Sequence, residues 1–197
     1  MTQAEKIDGL LENKKGIIQT SEVVAAGISR PYFREYIEKK QLQKVGHGIY
    51  MTADAWADPM YLLQAQFKQA VFSHETALFL HDLTDREPLK YSVTVKSGYN
   101  TEKIKEIGAK AYSIKKELYE VGLMNLETPF GFTVAAYDME RTICDILRNR
   151  NTVEIQVFQD ALKQYTANKK KNLHRLSQYA KLFRVENILR PYLEVLL

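Results

Sequence analysis

The stretch that decides the fold is K14-K-G-I-I-Q-T-S-E-V-V-A-A-G-I-S-R-P-Y-F-R-E-Y-I-E-K-K-Q-L-Q-K-V-G-H-G-I-Y-M-T52. It reads as a short helix, a tight turn, a second helix and a glycine-tipped hairpin. Thr20 or Ser21 can cap the first helix, because a side-chain oxygen accepts an orphan amide of the first turn. Val23, Val24 and Ala26 give that helix an apolar side, and Gly27 ends it without a Cβ penalty. Ser29 or Arg30 starts the next helix, where Pro31 fits the first turn. Phe33, Tyr36, Ile37 and the stem of Lys40 fall on one face at helical spacing, with Arg30, Tyr32, Arg34, Glu35, Glu38 and Lys39 beside or opposite it. Leu42–Val45 and Ile49–Thr52 then read as two strands around Gly46-His47-Gly48, glycines that supply the positive φ of a close reversal.

Helix, glycine turn, helix and hairpin make a winged helix-turn-helix, whose chemistry is DNA binding. The second helix is expected in the major groove, with Ser29, Arg30, Tyr32 and Arg34 nearest base edges and phosphates and Lys39 and Lys40 further along it. The wing is expected to set Lys44 and His47 against the backbone or minor groove. A helix–hairpin unit used only for packing or protein contacts has the same local pattern.

G27-I-S-R30, the short helix after it and V45-G-H-G-I-Y50 resemble the N-terminal domain of AbiEi-type antitoxins of abortive-infection toxin–antitoxin systems. Y137-D-M-E-R-T-I-C-D145 resembles a motif such proteins carry late in their C-terminal domain. In that family the wing tip often has Arg between its glycines; here it is His47. The resemblance implies a transcriptional autorepressor that binds repeats in its own operon promoter. It also implies an antitoxin domain that opposes a nucleotidyltransferase toxin encoded next door, in a type IV system where the two need not form a stable complex.

The chain has 197 residues, 45% hydrophobic and 26% charged, with a net charge of +4. That composition suits a globular protein with a real core, and the pattern favours two domains, 1–54 and 55–197. The single cysteine, Cys144, forms no intramolecular disulfide, and a reducing cytoplasm fits. No apolar run reaches the ~18–20 residues of a membrane span, and the first residues lead into no signal-like core. The modest positive charge leans towards a polyanionic partner, such as double-stranded DNA.

In chain order, residues 3–13 read as a helix with Ile7, Leu10 and Leu11 inward, and Gly16-Ile17-Ile18 as an extended piece beside the wing. Asp54–Pro59 is a linker, with Trp56 expected as an interdomain packing anchor, and Met60–Ala70 reads as helix. Ser73 with Thr76 suggests another capped helix, with His74 as a cap and His81 hydrogen-bonded. Seven helical residues rise about 10 Å, too far for the two histidines to share one ion. Tyr91–Val95, Ala111–Ile114, Leu123–Thr128 and Phe132–Tyr137 read as a sheet of about four strands, the last two a hairpin around Pro129-Phe130-Gly131. Thr101–Ile107 is a short helix or irregular segment. Asp138 caps a helix to about Asn149, in which Glu140 complements the dipole and Arg141 pairs with Asp145 at i,i+4. Three helices follow over 153–166, 172–183 and 185–197, with Pro191 kinking or restarting the last. The expected fold class is therefore α+β, a winged helix-turn-helix followed by an α+β domain with a helical C-terminus.

From Ala161 to Val185 there is no Asp or Glu, while Lys163, Lys169, Lys170, Lys171, Arg175, Lys181 and Arg184 fall in the span. That is either a solvated basic face or a second patch for DNA or an acidic partner. No catalytic residue, metal or cofactor is expected. A nuclease would need convergent carboxylates with a lysine, and no Asp followed by Glu-x-Lys lies on a strand; Glu87, Glu127, Asp138 and Glu140 qualify only by scarcity. Neither a G-x-S-x-G elbow nor a phosphate-binding glycine loop is present. A regulator whose second domain senses a ligand is the alternative reading.

Overall fold

The computed structural model of the chain describes residues 2–196, which divide into two compact units, one running to Lys68 and the other beginning at Gln69. The first unit contains α1 (Gln3–Asn13), β1 (Ile17–Gln19), α2 (Thr20–Ala25), α3 (Arg30–Lys40), β2 (Gln43–Gly46), β3 (Ile49–Met51) and α4 (Pro59–Gln66). Thr2 and Glu5 form a reciprocal capping box at the start of α1. Gly27 ends α2 at φ +80, and the Ser29 hydroxyl accepts the Tyr32 amide at 3.4 Å to start α3. The three strands pair antiparallel in the order β1-β3-β2, so the piece after α1 joins the hairpin as expected. Ile7, Leu11, Ile18, Val23, Ile28, Phe33, Tyr36 and Leu42 form the core beneath.

Three expectations change here. Neither Thr20 nor Ser21 caps α2: Gln19 is the N-cap, and the Glu22 carboxylate accepts its amide at 3.1 Å. Thr20 instead ties the helix to the hairpin tip, its amide and hydroxyl both donating to the Gly48 carbonyl at 2.8 and 3.2 Å. The division between units falls after Lys68 rather than at 54, because α4, capped by the buried Asp58 carboxylate, lies against β2. Trp56, expected as a packing anchor, is 78% exposed.

The second unit contains β4 (Val71–Phe72), α5 (His74–Leu80), β5 (Ser92–Lys96), α6 (Glu102–Glu106), β6 (Lys110–Ile114), α7 (Lys116–Tyr119), β7 (Leu123–Glu127) and β8 (Thr133–Tyr137). It closes with α8 (Met139–Arg148), α9 (Ile155–Ala167), α10 (Leu173–Leu182) and α11 (Glu186–Leu196), the last running through Pro191. The sheet has five strands, not about four, in the order β6-β5-β4-β8-β7. The extra strand is β4, two residues that follow an α4 shorter than expected and pair antiparallel with β5 and parallel with β8. The chain is thus a mixed α+β protein with a helical C-terminus.

α8 organises this unit. Every residue from Glu140 to Leu147 is buried, against α5 on one side and α9 and α10 on others. Arg141 is fully buried, its guanidinium 4.1 Å from the ring centres of both Tyr137 and Phe183. It donates to the Leu118 and Val121 carbonyls at 2.8 Å and to Asp145 at 2.9 Å. Gly122, at φ +77, makes room: a Cβ there would lie 2.7 Å from the Arg141 Cβ. No helix among the described residues is long and apolar enough to cross a membrane.

Candidate nucleic-acid interface

The exposed surface of α3 follows from how its other side is held. Phe33 and Tyr36 are buried and Ile37 partly so, as the spacing predicts. Phe33 meets Tyr50 of β3 edge-to-face at 5.5 Å, which fixes the helix against the hairpin. The Tyr36 hydroxyl donates to Asp8 of α1, and burial with that carboxylate pushes the phenol pKa up.

Ser29, Arg30, Arg34, Lys39, Lys44 and His47 are exposed. Arg30 and Arg34, one turn apart, border an open hollow of about 340 Å³ whose floor is Phe33, Ile37 and Tyr50. Arg34 is 3.6 Å from Glu38, and both remain largely solvated, so the pair is weak and readily exchanged for another anion. Arg30, Lys39, Lys44 and His47 make no ion pair with a described residue. Two expected contacts are differently placed. Lys40 turns to α1, 3.5 Å from Asp8 and over the Tyr36 ring. Tyr32 is half-buried and packs on the core of its unit, which leaves it a smaller exposed surface than the arginines.

The basic stretch of the second unit is not one acid-free surface. Arg175 lies 3.6 Å from Asp138 and 3.9 Å from Glu140, and Lys181 lies 3.8 Å from Glu186. Lys163, Lys169 and Lys170 are exposed, Lys171 is half-buried, and Arg184 lines a separate pocket with Lys115 and Arg148. Asp138 and Glu140, distant in sequence, fold back onto Arg175, while Glu186, just past the run, meets Lys181.

The carboxylates of the Y137–D145 motif are occupied by the fold. Asp138 caps α8, accepting the Arg141 amide at 2.8 Å, and also accepts from the Tyr179 hydroxyl; burial raises its pKa. Glu140, expected only as a dipole charge, accepts from the Tyr165 hydroxyl at 3.0 Å and the Asn172 amide at 2.8 Å, joining α8 to α9 and α10. Cys144 is buried among apolar neighbours, which pushes its thiol pKa well up and keeps it un-ionised. His74 does not cap α5: Ser73 holds the N-cap position and His74 is the first helical residue, buried. Its ring stacks 3.6 Å over Tyr112, Asn149 Nδ2 donates to Nε2 at 3.0 Å, and Nδ1 donates to the Ser73 hydroxyl at 2.9 Å. His81 is hydrogen-bonded as expected, to the Tyr137 carbonyl at 2.7 Å. Burial lowers the pKa of both histidines. Among the described residues no three His, Cys, Asp or Glu side chains gather as a metal ion would require.

The first unit has the element order of a winged helix-turn-helix, with its arginines displayed on the second helix of the pair. Residues 5–53 match the family described as transcriptional regulator, AbiEi antitoxin, which spans α1 to the end of the hairpin. No curated protein matches the chain. In fold the chain is similar to the RV2827C protein from Mycobacterium tuberculosis, with 14% identity and a TM-score of 0.59 over 92% of this chain and 72% of that one. At that identity the likeness concerns the fold alone.

Proposed function

We propose that this chain is a non-enzymatic antitoxin and transcriptional autorepressor. In this reading α3 enters the major groove of promoter repeats upstream of its own operon. Arg30 and Arg34 meet base edges or phosphates, Ser29 and Lys39 meet the backbone, and Lys44 and His47 of the hairpin lie along the flanking backbone. Lys163, Lys169 and Lys170 add phosphate contacts that raise affinity without adding sequence preference. The second unit counteracts a nucleotidyltransferase toxin encoded beside it, in abortive infection of phage-infected cells, without a stable complex between the two.

The observation that carries the reading is the family match over residues 5–53 on a unit whose α3 presents Arg30 and Arg34 to solvent. The test is genetic. A reporter driven by the chain's own promoter should be repressed by the wild type and released by Arg30→Ala with Arg34→Ala. Growth arrested by the neighbouring toxin should be rescued by the chain. A reporter indifferent to the chain and a toxin it does not rescue contradict the two halves of the reading separately.

A further inference from the structure

Many cations of the second unit have acidic partners: Lys96 with Glu120 at 3.5 Å, Lys110 with Glu75 at 2.8 Å, Arg190 with Glu194 at 3.2 Å, and Arg175 and Lys181 as described. One recess is different. A pocket of about 380 Å³ opens where the ends of β6, α8 and α10 come together. Lys115, Arg148 and Arg184 line it, with the hydroxyl-bearing Ser97 and Ser113, and no carboxylate does. None of the three cations makes an ion pair with a described residue. Like charges gathered without counter-charge repel one another, and an anion bound between them would relieve that repulsion.

The recess is built rather than incidental. The Ser97 amide donates to the Ile114 carbonyl at 2.7 Å, joining the two strand ends that carry the serines. Arg148 lies 5.7 Å over the Phe183 ring, a wall residue itself only 4% exposed. Arg184 sits in the left-handed region at φ +58, which L side chains disfavour, held by its amide to the Lys181 carbonyl at 3.1 Å. The Phe183 ring also lies 4.1 Å from the guanidinium of Arg141, which is not part of the pocket lining.

We propose that this pocket binds a phosphorylated small molecule, with the phosphoryl group between Lys115, Arg148 and Arg184. A terminal phosphate supplies near two negative charges and three acceptor oxygens, enough for two arginines, a lysine and the serine hydroxyls together. The volume exceeds that of a lone ion and lies at the small end of ligand pockets, so the recess has room for a phosphoryl group and part of the molecule that carries it. A concave site suits a terminal phosphate rather than the diester backbone of a duplex. The same phosphoryl chemistry could come from a free nucleotide or from a 5′-phosphorylated nucleic-acid end. The inference stands whether or not the first unit binds DNA.

Calorimetric titration of the full chain with pyrophosphate and then ATP tests it. Expected is saturable binding that Arg148→Gln and Arg184→Gln each weaken ~10-fold, the loss of one charge-assisted contact. Both side chains are exposed, so melting temperature should hold, and the control Lys103→Gln with Lys105→Gln, on α6 outside the pocket, should bind as the wild type does. A short 5′-phosphorylated oligonucleotide that displaces ATP while its 5′-hydroxyl form does not identifies the nucleic-acid end as a source; neither form displacing it leaves the free nucleotide. Displacement by both forms alike, no saturable binding, or equal weakening by the lysine control overturns the proposal.

Discussion

Removing the Arg141 side chain tests what holds the second unit together. Arg141→Met keeps most of the length but leaves the buried Asp145 carboxylate without the guanidinium 2.9 Å away. It also strips the Leu118 and Val121 carbonyls of their donor and removes the plate between Tyr137 and Phe183. Breaking one side of a buried ion pair costs about 3–5 kcal/mol, because the remaining charge stays in a low-dielectric site. Against a domain stability of about 5–15 kcal/mol, that is a large fraction of the total. At roughly 3–4 °C per kcal/mol for a unit of this size, melting should fall by about 10–20 °C. Calorimetry or far-ultraviolet circular dichroism should be the probe, since the single tryptophan, Trp56, sits exposed in the other unit. The double variant Arg141→Met with Asp145→Leu should recover part of the loss, because no uncompensated charge is then buried. A single variant within about 1 kcal/mol of wild type, or a double variant no better than the single one, refutes this account of α8.

Gly122→Ala should destabilise by at least about 2 kcal/mol in urea, from the left-handed backbone and the 2.7 Å approach to Arg141; an unchanged midpoint counts against the close packing. Thr20→Val removes the hydroxyl bond to the Gly48 carbonyl while the amide bond stays, so a loss of about 0.5–1.5 kcal/mol is expected in the first unit, with none in the second. His74 and His81 have folded pKa values below the ordinary range, so the unfolded chain binds more protons around the normal histidine pKa. Stability should therefore be full above about pH 7 and fall as pH drops through about 6.5, each histidine adding at most about 1.4 kcal/mol per pH unit. Asp138, with a raised folded pKa, acts in the opposite sense towards lower pH, so the histidine share is read as the slope that His74→Asn and His81→Asn remove.

The first unit was legible because its signals are local. Gly27, Ser29 and Pro31 mark the break and restart of the helices by backbone geometry alone, and Gly46 to Gly48 bracket a reversal between β-rich segments. What misread was set by tertiary partners. Thr20 looks like a cap from its neighbours, but the Gly48 carbonyl claims its hydroxyl. Asp58-Pro59 announces a helix without saying which unit will hold it, hence a boundary expected too early. β4 and α7 are two and four residues long, too short for a period to show. In the second unit the Arg141–Asp145 pair was readable at i,i+4, whereas the full burial of an arginine was not, since its charge argues for the surface until Tyr137, Phe183 and two carbonyls surround it. The run from Ala161 to Val185 looked uniformly basic because Asp138 and Glu140 lie far from it in sequence and return to Arg175 in space, and because Glu186, which meets Lys181, falls one residue beyond its end. The pocket of Lys115, Arg148 and Arg184 combines three separated segments and has no sequence signature at all.

The most direct measurement is a binding titration of the full chain, by gel shift or anisotropy, on DNA from just upstream of its own coding sequence and on a scrambled duplex, over a salt series. Expected is tighter binding to the upstream DNA, weakening steeply with salt, with Arg30→Ala or Arg34→Ala losing about 1–3 kcal/mol and relaxing preference at one base position. Equal affinity for the two duplexes, or arginine variants that bind as tightly as the wild type, would contradict the assignment of α3 as a DNA-reading helix.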